Sequence, residues 1–158
     1  DYINDVRLEI TCGEAPYLVS RYDTVTGEEI EISRRIGLLD RKLRVLSENV
    51  DSEIEWYSWA KKAFQSIYGF EWQGDNLLLA RENLLFAFVD YYENKFGIFP
   101  IKEYLKEIAT IISWKKMFNS HCLEKKPRFT NALVVKETII VCTTVFIVEF
   151  TIGQPMNQ

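Results

Sequence analysis

The sequence is short of glycine, proline, cysteine and histidine, and each shortage narrows what the chain can be. Its seven glycines never assemble into G-x-G-x-x-G, so the usual turn of an NAD site is missing. The four prolines, Pro16, Pro100, Pro127 and Pro155, all stand alone. Cys12, Cys122 and Cys142 are far apart and include no C-x-x-C. That excludes a zinc ribbon and a disulfide framework, and it fits a reducing cytoplasm. The single His121 cannot complete a metal cluster and reads as a solvated loop residue. Net charge is −4 with a pI near 5.2, so no global basic field calls for nucleic acid. The longest apolar run, over 138–148, is interrupted by Thr143 and Thr144 and closed by Glu149. It is too short and too polar to span a bilayer. No signal-peptide pattern opens the chain, and a start at Asp1 rather than Met is expected of a fragment or a processed piece.

What is present suits one domain with a real core. The chain has 158 residues, 47% of them apolar and 27% charged. Residues 6–11 alternate, with Val6, Leu8 and Ile10 on one face, and predict a strand. Thr26-Gly27 marks a turn between two β-leaning runs. From Ser33 the period becomes helical, with Ile36, Leu39, Leu43, Leu46 and Val50 in one stripe. Arg34, Arg35, Arg41, Lys42 and Arg44 lie opposite; they could meet phosphates, but a solvated face is the simpler reading.

A second helix starts near Asp51, where Ser52 and Glu55 have capping-box spacing. Trp56, Trp59, Ala60, Ala63, Phe64 and Ile67 form its apolar side, and the two Trp read as core rather than base-stacking residues. A short strand and turn, YGFEWQGDN, follow, with Asp75 placed to cap the next helix. That helix runs to about Phe96 and is apolar nearly all round, so it belongs inside. Gly97 and Pro100 end it and start another, whose Tyr104, Leu105, Ile108, Ile111 and Ile112 face inward. Residues 117–131 read as a loop, and the β-branched residues from 132 to 152 as strands.

The order strand, loop, helices, strand, helix is that of an α/β domain, in which ligands sit beyond the carboxyl ends of the strands. Two stretches end a strand in this way. LEITCGEAPYL (8–18) brings a small-residue turn that lets backbone amides approach a ligand. YGFEWQGDN (68–76) brings Glu71, able to accept from both hydroxyls of a ribose, with Trp72 beside it for an adenine ring.

These two stretches resemble the first and second motifs of adenine-specific DNA methyltransferases, the methylase subunits of bacterial restriction-modification systems. The first motif there reads like LDPACGSGTFL, and residues 8–18 align with it without a gap, keeping the acid, the Cys-Gly and the aromatic-Leu. The second resembles YGIEIDPxxxxxARxNL, matched here by Tyr68, Gly69, Glu71, Ala80, Arg81, Asn83 and Leu84. The resemblance covers about residues 6–114. It implies an incomplete Rossmann-type methyltransferase domain, helix-rich, over 1–114, with a divergent strand-rich tail over 115–158. It implies S-adenosylmethionine as cofactor, held by Glu9, Cys12, Gly13, Ala15, Glu71 and Trp72, with Phe70 as a second flank for the adenine. Methyl transfer to the exocyclic amine of adenine in DNA would be the reaction of the intact family, in the cytoplasm and without a metal.

The departures are specific. Glu14 and Ala15 replace the usual Ser and Gly, and Pro16 removes an amide donor. About fifty extra residues separate the motifs, more than a crossover needs. The catalytic Asn or Asp followed by Pro-Pro and an aromatic has no counterpart among the four isolated prolines. No catalytic residue is therefore assigned, and DNA binding by this chain is expected to be weak or absent. Beyond Trp114 the sequence leaves the family pattern, through a natural divergent ending or an altered reading frame. Its strands need a partner, either the sheet of this domain or a second copy, which puts an expected homodimer surface at residues 132–152. The rival expectation is a non-enzymatic interaction module or a decayed methylase.

Overall fold

The computed structural model describes residues 1–115, with side chains through 113, and beyond them the strand segments 117–118, 134–135, 138–142 and 147–151. The elements run β1 (Arg7–Ile10), a 3-10 turn (Ile32–Arg34), α1 (Leu38–Asn49), α2 (Glu53–Gln65), β2 (Ile67–Phe70), α3 (Gly74–Phe96), α4 (Lys102–Lys115) and β3 (Met117–Phe118). Then come β4 (Val134–Val135), β5 (Thr138–Cys142) and β6 (Ile147–Thr151). The three early strands make a parallel sheet in the order β1-β2-β3. The last three pair antiparallel. The architecture is thus helix-rich α/β, with strands where the β-branched tail predicts them. β3 starts within the stretch expected to be loop; the rest of that stretch, with His121 and Cys122, lies outside the described residues.

The four helices pack largely on one another. Trp56 of α2 is wholly buried, its ring 6.0 Å from Phe88, 5.8 Å from Tyr92 and 5.7 Å from Phe96. Truncating such a side chain to Ala costs on the order of 3–5 kcal/mol. Tyr57 stacks on Tyr104 with ring centres 3.7 Å apart, joining α2 to α4. The inward positions expected on α4 are inward: Leu105, Ile108, Ile111 and Ile112 are all buried. α3 ends at Gly97, whose φ of 68° is the left-handed conformation that favours glycine, with its amide on Glu93 O.

Several local expectations are corrected. Ser52 stands at the N-cap of α2, but its hydroxyl caps nothing, so the Ser52/Glu55 capping box does not form. Asp75 lies inside the first turn of α3; the carboxylate serving the amides ahead of that helix is Glu71. The cations of residues 34–44 are not a uniformly solvated face. Arg35 is 1% exposed and bonds Asp90, Glu29 and Ile30 O. Lys42 is fully buried and donates to Ile3 O, Asp5 O and Ser66 Oγ. Arg41 and Arg44 donate to the carbonyls of Ile36, Ile32 and Arg35. The partners of Lys42, and Asp90 for Arg35, come from distant parts of the chain, which helical periodicity cannot display.

The strand at β1 also turns over. Its stripe of Val6, Leu8 and Ile10 is exposed, and Glu9 faces the interior at 9% exposure. In register, Leu8 lies beside Tyr68 and Ile10 beside Phe70, while Glu9 lies beside buried Gly69. Among the described residues, then, one face of the sheet is covered and the other is open. No helix among them is long and apolar enough to cross a membrane.

Candidate functional site

The site forms where β1 and β2 end side by side. Cys12 donates its amide to Phe70 O at 2.8 Å, carrying the ladder one step past β1. The chain then turns sharply, with Ala15 N bonded to Cys12 O at 2.7 Å. Thr11, Gly13 and Ala15 all have positive φ, at 58°, 54° and 64°. Only Gly13 takes that conformation freely; a β-branched Thr there stores backbone strain. A Cβ at Gly13 would meet nothing within 4 Å, so the turn leaves open space beside its amide.

Glu71 locks this turn to β2. Its Oε2 accepts Gly13 N at 2.6 Å across 58 residues of sequence, and its Oε1 accepts Trp72 N and Gln73 N at 2.8 and 2.9 Å. The Gln73 amide above all, with those of Gly13 and Trp72, holds the Glu71 carboxyl below the ordinary range. Glu71 is therefore a charged acceptor at the strand ends. Trp72 beside it is 65% exposed and Phe70 is 39% exposed.

Glu9 and Cys12 lie beneath the turn. Glu9 Oε2 accepts Leu18 N at 3.1 Å, yet burial pushes its carboxyl up to about 6 against those amide bonds. Burial first, then the charges of Glu9 and Glu71, push the Cys12 thiol up to about 12. Cys12 and Ala15, at 1% and 0% exposure, contribute shape and backbone rather than reactive surface.

The structure thus brings Glu9, Cys12, Gly13, Ala15, Glu71 and Trp72 to one end of the parallel sheet. Gly13 and Trp72 stand at its accessible side, Glu71 is buried beside them at 6% exposure, and Glu9, Cys12 and Ala15 stand under the turn. Chemically, the arrangement offers a fixed carboxylate, a glycine turn and an exposed indole. Among known proteins, no family model, no curated protein and no solved structure matches the chain.

Two residues were not singled out for the site. Asn83 on α3 donates to Glu14 O at 3.0 Å and to the Tyr22 hydroxyl at 3.1 Å, and that hydroxyl holds the Glu14 carboxylate. Together they fix the far side of the turn and tie up the one side chain whose charge departs from the resembled motif. Asn83 belongs to the second motif, so its place there was the available signal; Tyr22 gave none. After the turn the chain runs close to Gly37, whose Cβ would come within 2.5 Å of Leu18 O. Tyr17 O and Leu18 O accept the first amides of α1, from Leu38 and Leu39, both at 2.8 Å. Among the described residues no group of three metal-binding side chains occurs.

Proposed function

We propose that residues 1–114 are the cofactor-binding part of an S-adenosylmethionine-dependent adenine-N6 DNA methyltransferase of a restriction-modification system. The observation that carries this reading is the Gly13–Glu71 bond. It joins the two stretches that resemble the family's first and second motifs, at the ends of adjacent parallel strands.

The residues present fit the nucleoside half of that cofactor. Glu71 is ionised and at hydrogen-bonding range of the turn, so a ribose hydroxyl can replace Gly13 N–H at Oε2 while Trp72 N and Gln73 N keep Oε1 in place. The exposed indole of Trp72 offers an apolar face for the adenine. Asn83 and Tyr22 hold Glu14 so that its carboxylate is bonded within the chain. S-adenosylmethionine supplies an already electrophilic methyl, so the protein's share is alignment. The chain carries no Asn/Asp-Pro-Pro-aromatic motif to receive a flipped adenine, so it binds cofactor without methylating DNA.

Isothermal calorimetry with S-adenosylhomocysteine tests the reading. Binding in the micromolar to millimolar range, lost in Glu71→Ala, is expected. No heat at millimolar ligand sinks it, and methylation of DNA by the chain alone contradicts the missing motif. One observation favours the rival, a non-enzymatic interaction module: the open apolar face of Val6, Leu8 and Ile10. That reading predicts a partner and no cofactor heat.

A further inference from the structure

In α/β nucleotide sites the ribose hydroxyls rest on an acid at the end of the second strand, and the 5′ group lies at the turn after the first. An anionic 5′ group is held there by free backbone amides, those of the turn and of a helix starting directly behind it. This chain has the acid and the turn, but the amides are spent. Gly13 N goes to Glu71 Oε2, and Ala15 N goes to Cys12 O. Pro16 has no amide hydrogen to give. Glu9 accepts from Tyr17 N and Leu18 N, and Val19 N is bonded to Ala15 O. The next long helix, α1, begins only at Leu38, and its first amides go to Tyr17 O and Leu18 O. α3, which starts beside the turn, has Glu71 ahead of it and Asp75 in its first turn.

The side chains at the turn share one sign. Glu14 follows Gly13 and is half-buried, with its carboxylate held by the Tyr22 hydroxyl. Asn83, 8% exposed, fixes both by donating to Glu14 O and to that hydroxyl. The arginines nearest in sequence are engaged elsewhere, Arg7 with Asp5 and Arg21 with Asp90. A group entering the open space beside Gly13 therefore meets Glu71 and Glu14 where a phosphate site would offer amides.

We propose that the site takes adenine nucleosides whose 5′ substituent carries no anionic group, and that Glu14 sets this preference. The inference rests on the cofactor reading and narrows its ligand. A thioether ending in an ammonium suits the turn, because the ammonium donates hydrogen bonds and meets Glu14 as an opposite charge. A 5′-phosphate meets like charge and gives up its hydration without replacement. S-adenosylhomocysteine lies between: its ammonium is favoured and its carboxylate is not. One charge about 6 Å from another, between bulk water and a protein surface, changes affinity by roughly three- to a hundredfold. An effect of about tenfold is the expected size.

Calorimetric titration of the wild-type chain with matched ligand pairs tests the preference. S-adenosylhomocysteine and its decarboxylated counterpart differ only in the carboxylate; adenosine 5′-monophosphate and adenosine differ only in the phosphate. The decarboxylated thioether should bind about tenfold tighter than S-adenosylhomocysteine, and adenosine about tenfold or more tighter than its monophosphate. Raising the salt from about 0.05 to about 0.5 M should narrow both gaps. Glu14→Gln should bring S-adenosylhomocysteine to within about threefold of its counterpart. A folded Glu14→Gln that leaves the gap unchanged overturns the role of Glu14. S-adenosylhomocysteine binding as tightly as its decarboxylated form, and losing its heat in Glu71→Ala, overturns this inference and leaves the cofactor reading standing. No heat from any of the four ligands at millimolar concentration overturns both. Should Glu14→Gln fail to fold, the ligand pairs in the wild type decide alone.

Discussion

Replacing Glu9 by Gln should stabilise the protein at neutral pH and leave it unchanged in acid. Glu9 is 9% exposed beneath the turn, and burial raises its carboxyl from 4.5 to about 6. Its folded value lies above its unfolded one, so the fold prefers the protonated form. The stabilisation that this preference contributes is fully present below 4.5 and is lost as the pH rises through 6. That preference corresponds to about 2 kcal/mol. Gln imitates the protonated acid at every pH and can still accept from Leu18 N. Urea unfolding followed by tryptophan fluorescence should therefore show the variant more stable by about 2 kcal/mol near pH 7.5, a midpoint about 1 M higher for a typical slope. Near pH 4 the two proteins should coincide. A variant that is less stable than wild type at pH 7.5, or a gap of equal size at both pH values, refutes the reasoning. It would show that the bonds from the amides outweigh desolvation.

Three further outcomes are expected. Thr11→Asn, at a φ of 58° that β-branched residues avoid, should raise stability by about 1 kcal/mol in the same assay. Gly37→Ala, whose Cβ would sit 2.5 Å from Leu18 O, should lower it by about 1–3 kcal/mol and shift the melting midpoint downward, because the blocking atom is backbone. Cys12, with its thiol pushed up to about 12 and 1% exposed, should resist iodoacetamide at pH 8 in the native protein and react in urea, as read by peptide mapping.

The helical part of this fold was legible because it is periodic. The inward stripe of α4, the core role of Trp56 and the end of α3 at Gly97 all follow from spacing and from the chemistry of single residues. β1 was legible as a strand, but its orientation was not. Alternation gives two faces, and which one is covered depends on where helices come to lie later in the chain. The buried cations show the same limit. Lys42 is satisfied by carbonyls of residues 3 and 5 and the hydroxyl of residue 66, and Arg35 by Asp90. On a helical wheel both belong to a polar face. At the candidate site, the sequence pointed to Glu71 and to the Cys-Gly turn. It did not show that Glu71 holds the Gly13 amide, because that bond depends on the adjacent placement of β1 and β2.

The central claim is that the Gly13–Glu71 junction receives a nucleoside. It is tested most directly by amide-resolved NMR of the labelled chain titrated with S-adenosylhomocysteine. The account predicts a saturable shift of the Gly13 amide as its bond to Glu71 Oε2 gives way to a ribose hydroxyl. A parallel shift of the Trp72 indole N–H is expected, and both should be absent in Glu71→Ala. A Gly13 resonance unmoved at millimolar ligand, or the same shifts in Glu71→Ala, would contradict it.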